Sequence, residues 1–281
     1  MLETETLGFP VDEVVKRVAF IKQLLPPLGR RLLSFQDEVN IRLSDSSDTD
    51  RMMMTRADKH IETDLIEALQ EKFPDDSITS EEKEGVVFET NEFHWWIDPV
   101  DGTKNFIHGI PLFAISVGLT FRGDPVAGIV EVPSFRDTYH AILTAGAYKN
   151  DSPIHVSNLD TLERSMITNG LPFNRKEILH ELISDISAFI SSGIGLRRTG
   201  SAVLDLCWVA EGRFDAMWEK SLRPWDTCAP SVIIQEAGGK ISGFNGEPYH
   251  VKLADIVATN EIIHSTVIET LHRKRNIETS N

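Results

Sequence analysis

Trp96-Ile97-Asp98-Pro99-Val100-Asp101-Gly102-Thr103-Lys104-Asn105-Phe106 sets two carboxylates three residues apart, just after an apolar strand and just before a glycine turn. A strand end holds Asp98 rigidly, Pro99 fixes the turn through its ring, and Gly102 lets backbone N–H groups come close to an anion. The Thr103 hydroxyl stands beside them. Hard divalent cations take carboxylate oxygens, and Mg²⁺ keeps several waters while using a few carboxylates and a substrate phosphate. The same residues can also make a solvated Asp-Pro-x-Asp-Gly turn, so the acids elsewhere in the chain decide between the two.

Upstream, Glu81 and Glu82 follow Ser77 to Ser80 at a strand-to-loop exit after Pro74-Asp75-Asp76. Adjacent acids alone describe a solvated face. Downstream, Trp225-Asp226 opens a helix that ends in Glu236-Ala237-Gly238-Gly239, where an aspartate alone reads as a helix cap. Around these stretches the pattern changes along the chain. Val11, Val14, Val18, Ile21, Leu25, Leu28 and Leu32 have helical spacing, with a kink or break expected at Pro26-Pro27. A polar loop is expected from Asn40 to Asp50, then a second helix from Ala57 to Phe73 that stops before Pro74.

Residues 95–97, 112–121, 126–132 and 139–145 are rich in β-branched and aromatic side chains and predict an antiparallel meander. After Asn150 strands alternate with helices: strands at 166–169, 194–198, 214–219 and 256–259, and helices at 176–191, 201–210, 227–237 and 261–275. The polar stretch at Asn150 to Pro153 divides an amino-terminal α+β metal-binding half, residues 1–150, from a smaller α/β half, residues 151–281, that completes the site.

The 281 residues carry 43 Asp and Glu against 28 Lys and Arg, a formal charge of −15, which argues against a nucleic-acid polymer as the main partner. Hydrophobic residues at 41% and charged residues at 25% fit a globular chain that can bury a core. Cys207 and Cys228 are too few for a disulfide framework and form no CxxC, which suits a reducing, cytoplasmic setting. Met1 to Pro10 does not read as a signal peptide, and no apolar run is long enough to span a bilayer. The nine histidines show no HxH or HExxH spacing for zinc, and no GxxxxGK[ST] loop is present for a nucleotide.

In chain order, Glu81-Glu82, Trp96 through Phe106, and Trp225-Asp226 through Gly239 resemble the inositol monophosphatase family of lithium-sensitive, magnesium-dependent phosphatases, with matching spacing from about Thr55 to Gly239. The resemblance implies an α/β (α+β) fold, a layered αβαβα sandwich of the inositol monophosphatase / fructose-1,6-bisphosphatase type. It also implies two or three Mg²⁺ ions. Glu81, Asp98 and the Val100 carbonyl would hold one, Asp98, Asp101 and Asp226 a second, and Glu81 would reach a third through water. The phosphate would receive N–H bonds from Gly102 and Thr103, while Thr103, polarised by Asp58, would act with Glu81 to orient the attacking water.

Glu219 lies seven residues before Asp226, where inositol phosphatases carry a glutamate that binds ring hydroxyls, and Gly200-Ser201-Ala202 resembles a small-residue turn that also touches the ring. These carry-overs point to inositol monophosphate or another small phosphorylated polyol as substrate, and to a homodimer. Relatives with this metal core hydrolyse histidinol phosphate, fructose 1,6-bisphosphate or 3′-phosphoadenosine 5′-phosphate. A non-catalytic regulator that keeps the fold and binds a partner is the reading of another class; it would be expected to lose one of Glu81, Asp98, Asp101, Thr103 or Asp226, and all five are present. Two departures stand out. The loop Ser44 to Arg51 lacks the lysine many members carry, and Pro230 falls where only about the first helical turn tolerates proline.

Overall fold

The computed structural model describes residues 8–42, 47–82, 92–172, 176–191 and 194–273. The chain opens with two long helices, α1 (Val11–Arg42) and α2 (Ser47–Lys72). The helical path of α1 continues through Pro26 and Pro27 instead of breaking. Each proline removes a bond at a cost of roughly 3 kcal/mol, but Ile21, Leu25, Leu28 and Leu32 are buried on both sides of the pair and hold the path. The loop expected from Asn40 to Asp50 is correspondingly shorter: α1 reaches Arg42 and α2 starts at Ser47. Residues 43–46, within the lysine-poor stretch, lie outside the described residues, as do residues 1–7 of the amino terminus and the expected end of the last helix beyond Arg273.

The expected meander is present as β2 (Phe93–Asp101), β3 (Ala114–Phe121), β4 (Asp124–Val132) and β5 (Asp137–Ile142), preceded by β1 (Ser77–Ser80) and followed by β6 (Ala147–Lys149) and β7 (Ser152–Pro153). These strands form one sheet in sequence order, antiparallel throughout except for the parallel β1–β2 pair. A short helix, α3 (Thr103–Ile107), follows β2 directly. The second half runs β8 (Met166–Asn169), α4 (Leu179–Ile190), β9 (Gly195–Arg197), α5 (Ala202–Ala210), β10 (Ala216–Glu219), α6 (Pro224–Glu236), β11 (Lys240–Gly243), β12 (Ile256–Thr259) and α7 (His264–Arg273). Its sheet has the order β11-β12-β10-β8-β9, with β8 parallel to both neighbours and β12 antiparallel to both of its own.

Helices α1 and α2 cover one face of the first sheet, α5 and α6 fill the space between the sheets, and α4 and α7 close the far side of the second. The layers therefore alternate α, β, α, β, α. Several elements differ from the sequence reading: α3, β6 and β7 are additional, and α4 and α7 start three residues later than expected, at Leu179 and His264. β11 goes unpredicted because Lys-Ile-Ser-Gly has no strand pattern, and α6 begins at Pro224 rather than Thr227 because a proline at the first helical position gives up an N–H that has no partner there anyway. Pro230 is then the seventh residue of α6, in its second turn, and the helix continues past it.

Where α6 crosses the first sheet, the glycine pair Gly118↔Gly128 faces it on neighbouring strands. A Cβ at Gly118 would stand 2.6 Å from Cys228 Sγ, and one at Gly128 would stand 2.1 Å from the Ala229 carbonyl oxygen. Neither glycine has a left-handed φ, so close approach alone requires them. Because the atom met at Gly128 is backbone, Gly128→Ala must move the helix. We expect a loss of about 1–3 kcal/mol of stability, read as a lower urea midpoint; a midpoint equal to that of the unsubstituted chain would contradict this seating.

Candidate active site

Parallel pairing of β1 with β2 sets Ser80 against Ile97, and the Glu81 N–H donates to the Ile97 carbonyl at 3.1 Å. Glu81 thereby lands beside Asp98, and the two carboxyls hydrogen-bond to each other. Pro99 has no N–H to offer, so Asp98 Oδ1 accepts from the Val100 N–H at 3.0 Å. The strand register shifts between Asp98 and Asp101, which turns both side chains off the sheet at its end. Asp98 lies opposite Ser116 on β3, whose hydroxyl donates to the Trp225 carbonyl at 3.2 Å and ties the first turn of α6 to this spot. In that turn Asp226 Oδ2 accepts the Arg223 N–H at 2.7 Å. Asp226 is thus not the residue that caps α6 but the third residue of the helix, reaching back to the cap position Arg223, and its place beside the other acids requires something more.

Asp101 reaches across to α5. Its carboxylate accepts the Ser201 hydroxyl, the Ala202 N–H at 3.3 Å and the Val203 N–H at 3.0 Å, so it fills the amino-terminal end of that helix. Gly102 follows with φ +82°, and a Cβ there would lie 2.7 Å from the Leu112 carbonyl. Both conformation and space require glycine. Thr103 Oγ1 donates to the Val100 carbonyl at 3.0 Å and not to Asp58, so the sequence-based pairing of Thr103 with Asp58 is not made.

Asp58, on α2, is 3% exposed, and its Oδ1 has no hydrogen-bond partner. Burial first, then the charges of Glu82, Glu81 and Glu62, push its pKa up to about 8. Burial likewise raises Glu81, Asp98, Asp101 and Asp226; neighbouring carboxylates add to the effect at Glu81, Asp98 and Asp226, whereas at Asp101 the bonds from Ser201 and the N–H groups of α5 oppose it. Glu219, at the end of β10, is raised by burial and then by Asp226, Asp101 and Asp205. None of these six acids forms a salt bridge among the described residues.

Sequence reasoning missed two residues here. Glu62, 1% exposed with Oε1 unpartnered, sits one helical turn after Asp58, and the i,i+4 spacing of two acids on a helix with a buried stripe was the available signal. Asp205 is the lone acid in the otherwise apolar α5, and it accepts from Thr168 Oγ1 at 2.7 Å and Thr199 Oγ1 at 2.6 Å. It anchors the Thr199-to-Ser201 turn that delivers Ser201 to Asp101. Arg197 is exposed and bonds its own neighbour's carbonyl, and the His60 ring lies against Phe35 rather than in the site.

The family model described as the inositol monophosphatase family matches residues 27–276. The chain belongs to the inositol monophosphatase family. It is 39% identical over 214 residues to a putative Nus factor SuhB of Neisseria meningitidis serogroup B, covering 76% of this chain and 82% of that one. It is also 35% identical over 219 residues to the inositol-1-monophosphatase of Synechocystis sp., covering 78% and 76% respectively. The crystal structure of extragenic suppressor protein suhB from Bartonella henselae superimposes with a TM-score of 0.82 at 30% identity, over 92% of this chain and 99% of that one.

For this family member the fit of a metal can be judged from the donors. As the side chains stand, no three His, Cys, Asp or Glu among the described residues converge into a ready cage, because the carboxylates are turned onto backbone N–H groups and onto each other. The set is nevertheless all hard oxygen, crowded with uncompensated acids and containing orphaned Asp58 Oδ1 and Glu62 Oε1. Such a set suits Mg²⁺ and not zinc. Within the described residues no helix is long and apolar enough to cross a membrane.

Each shifted acid has its folded pKa above its unfolded value near 4, so its stabilising neutral form is full below about pH 4 and lost as pH rises through the folded values, which reach about 8 for Asp58. The metal-free protein should therefore lose melting temperature between about pH 4 and 8, and Mg²⁺ should restore more of it at pH 8 than at pH 5. Thermal melts in chelator and in Mg²⁺ at several pH values measure this. A Mg²⁺ response that grows toward pH 5 would contradict it.

Proposed function

We propose that this chain is a Mg²⁺-dependent phosphate-monoester hydrolase, with inositol monophosphate or a similar small phosphorylated polyol as substrate. The observation that carries the reading is the gathering of Glu81, Asp98, Asp101 and Asp226 without a basic partner, from three separate parts of the chain: the exit of β1, the end of β2 and the first turn of α6, with Asp98 and Asp101 buried. Such an arrangement opposes folding unless a cation is its purpose.

When bound, Mg²⁺ supplies hydroxide from water near neutral pH and neutralises the charge that makes phosphate monoesters so slow to hydrolyse. Glu81, Asp98 and the Val100 carbonyl would hold one ion, and Asp98, Asp101 and Asp226 would hold another. The N–H groups of Gly102 and Thr103 receive the ester oxygens. Thr103 gives up its bond to the Val100 carbonyl to face the water that Glu81 orients, and Asp58 with its free Oδ1 takes the Thr103 proton's hydrogen bond. Glu219 accepts from the polyol hydroxyls, and the Ser201-Ala202 turn closes the ring side. No covalent phospho-enzyme is needed.

The name Nus factor borne by a 39%-identical relative supports a second reading, a binding role exercised through the surface, with or without turnover. It would also set aside the expectation from net charge that no nucleic-acid polymer is a partner. Phosphate release from inositol, sugar, histidinol and nucleotide phosphates, with and without Mg²⁺, separates the readings. We expect Mg²⁺-dependent release, greatest for a polyol ester, and a fall of at least about 10³-fold in kcat for Asp98→Asn with the fold retained. No Mg²⁺-dependent release from any of these esters would leave only the binding role.

A further inference from the structure

β10 and β8 run parallel with Trp218 opposite Asn169, so the next residue on each, Glu219 and Gly170, leave the sheet side by side. A Cβ placed on Gly170 would stand 1.9 Å from Glu219 Cδ and Oε2 and 2.0 Å from Oε1. The carboxylate therefore occupies the space a side chain at position 170 would fill. Gly170 is buried and its φ lies outside the left-handed region, so the backbone there would accept any residue. Only the approach of Glu219 excludes one.

No described residue donates a hydrogen bond to the Glu219 carboxylate, and its neighbours Asp226, Asp101 and Asp205 repel it. Packing, not bonding, fixes its position. The Asn169 Nδ2 bond to the Gly170 carbonyl, at 3.2 Å, holds the peptide it rests on. We propose that Gly170 is a specificity-determining residue: the missing side chain seats the Glu219 carboxylate where it can accept hydrogen bonds from the hydroxyl groups of a polyol phosphate. The inference rests on the polyol reading of Glu219. Even one methyl group would move the carboxylate by more than about 1 Å to relieve the overlap, and misplacement on that scale costs on the order of 10²-fold where a site bonds substrate hydroxyls.

The test compares kcat/KM for inositol monophosphate with that for phenyl phosphate, an ester without hydroxyl groups, in Gly170→Ala, Glu219→Gln and Gly170→Ala/Glu219→Asp. Gly170→Ala is expected to lower the ratio at least tenfold, chiefly through KM for the inositol ester, and shortening the acid in the double variant is expected to recover part of it. A ratio lowered by Glu219→Gln but untouched by Gly170→Ala, or an equal loss on both esters in Gly170→Ala, overturns the proposal while leaving the polyol reading. A ratio untouched by Glu219→Gln removes that reading and the proposal with it. Should Gly170→Ala fold poorly, urea midpoints of Glu219→Ala and Gly170→Ala/Glu219→Ala decide the point. Equal midpoints support the seating, and a further loss in the double variant overturns it.

Discussion

The contact of α6 with the glycine pair on β3 and β4 governs the geometry of everything around it. With Gly118 and Gly128 offering no side chains, the helix settles onto the strands closely enough for Cys228 and Ala229 to touch backbone. Ser116, two residues before Gly118 on the same face, then reaches the Trp225 carbonyl, and Asp98 stands across the ladder from Ser116. Asp226 arrives beside Asp98 although the chain between them passes through β3 to β10, strands of both sheets. A side chain at either glycine would separate the acids before it disturbed either of them directly.

Once assembled, the acids resist one another, and each is held by a frame of its own. Asp98 is fixed by the N–H two residues ahead, Asp226 by the N–H at the start of its helix, and Asp101 by the open end of α5. Helix amino termini favour negative charge, so α5 offsets part of the cost of burying Asp101. The frames hold the carboxylates near one another, and an arriving cation would have to draw their oxygens off these N–H groups to be ligated. Ser201 belongs to this frame: its hydroxyl is committed to Asp101, with the Asp205 turn behind it, so any role it has toward a substrate is exercised with that bond in place.

The parts of this architecture that are readable in the sequence are those whose cause is local. The turn chemistry of Asp98-Pro99-Val100-Asp101-Gly102, the meander, and most of the alternation after Asn150 follow from side-chain type and period alone. The continuity of α1 through two prolines, the start of α6 and the extent of the second helix depend on burial against other elements, which outweighs local propensity. Glu62 and Asp205 escaped notice because an acid on a helix is ordinarily solvated, and only the packing of α2 on β2 and of α5 between the sheets buries them. Thr103 and Asp58 were paired from resemblance, whereas without a substrate the hydroxyl satisfies the nearest carbonyl.

The same distinction bears on substrate choice. The acids proposed to hold the metal sit in signatures that point to a chemistry and not to one ester. On the proposed reading, selectivity falls to the far side of the site, where Glu219 lies among Asp101, Asp205 and Asp226. A group placed there meets buried acceptors and negative potential, which suits hydroxyl donors and opposes a second phosphate. Arg198 is the base that offsets this potential, and it is exposed. A bisphosphate would have to turn its second anion away from Glu219 toward that arginine or toward solvent, losing the buried contacts that a polyol ring can satisfy. Under the proposed function, the electrostatics of this wall therefore favour hydroxyl or amine donors over a second phosphate, which sets a polyol or histidinol ester above a bisphosphate.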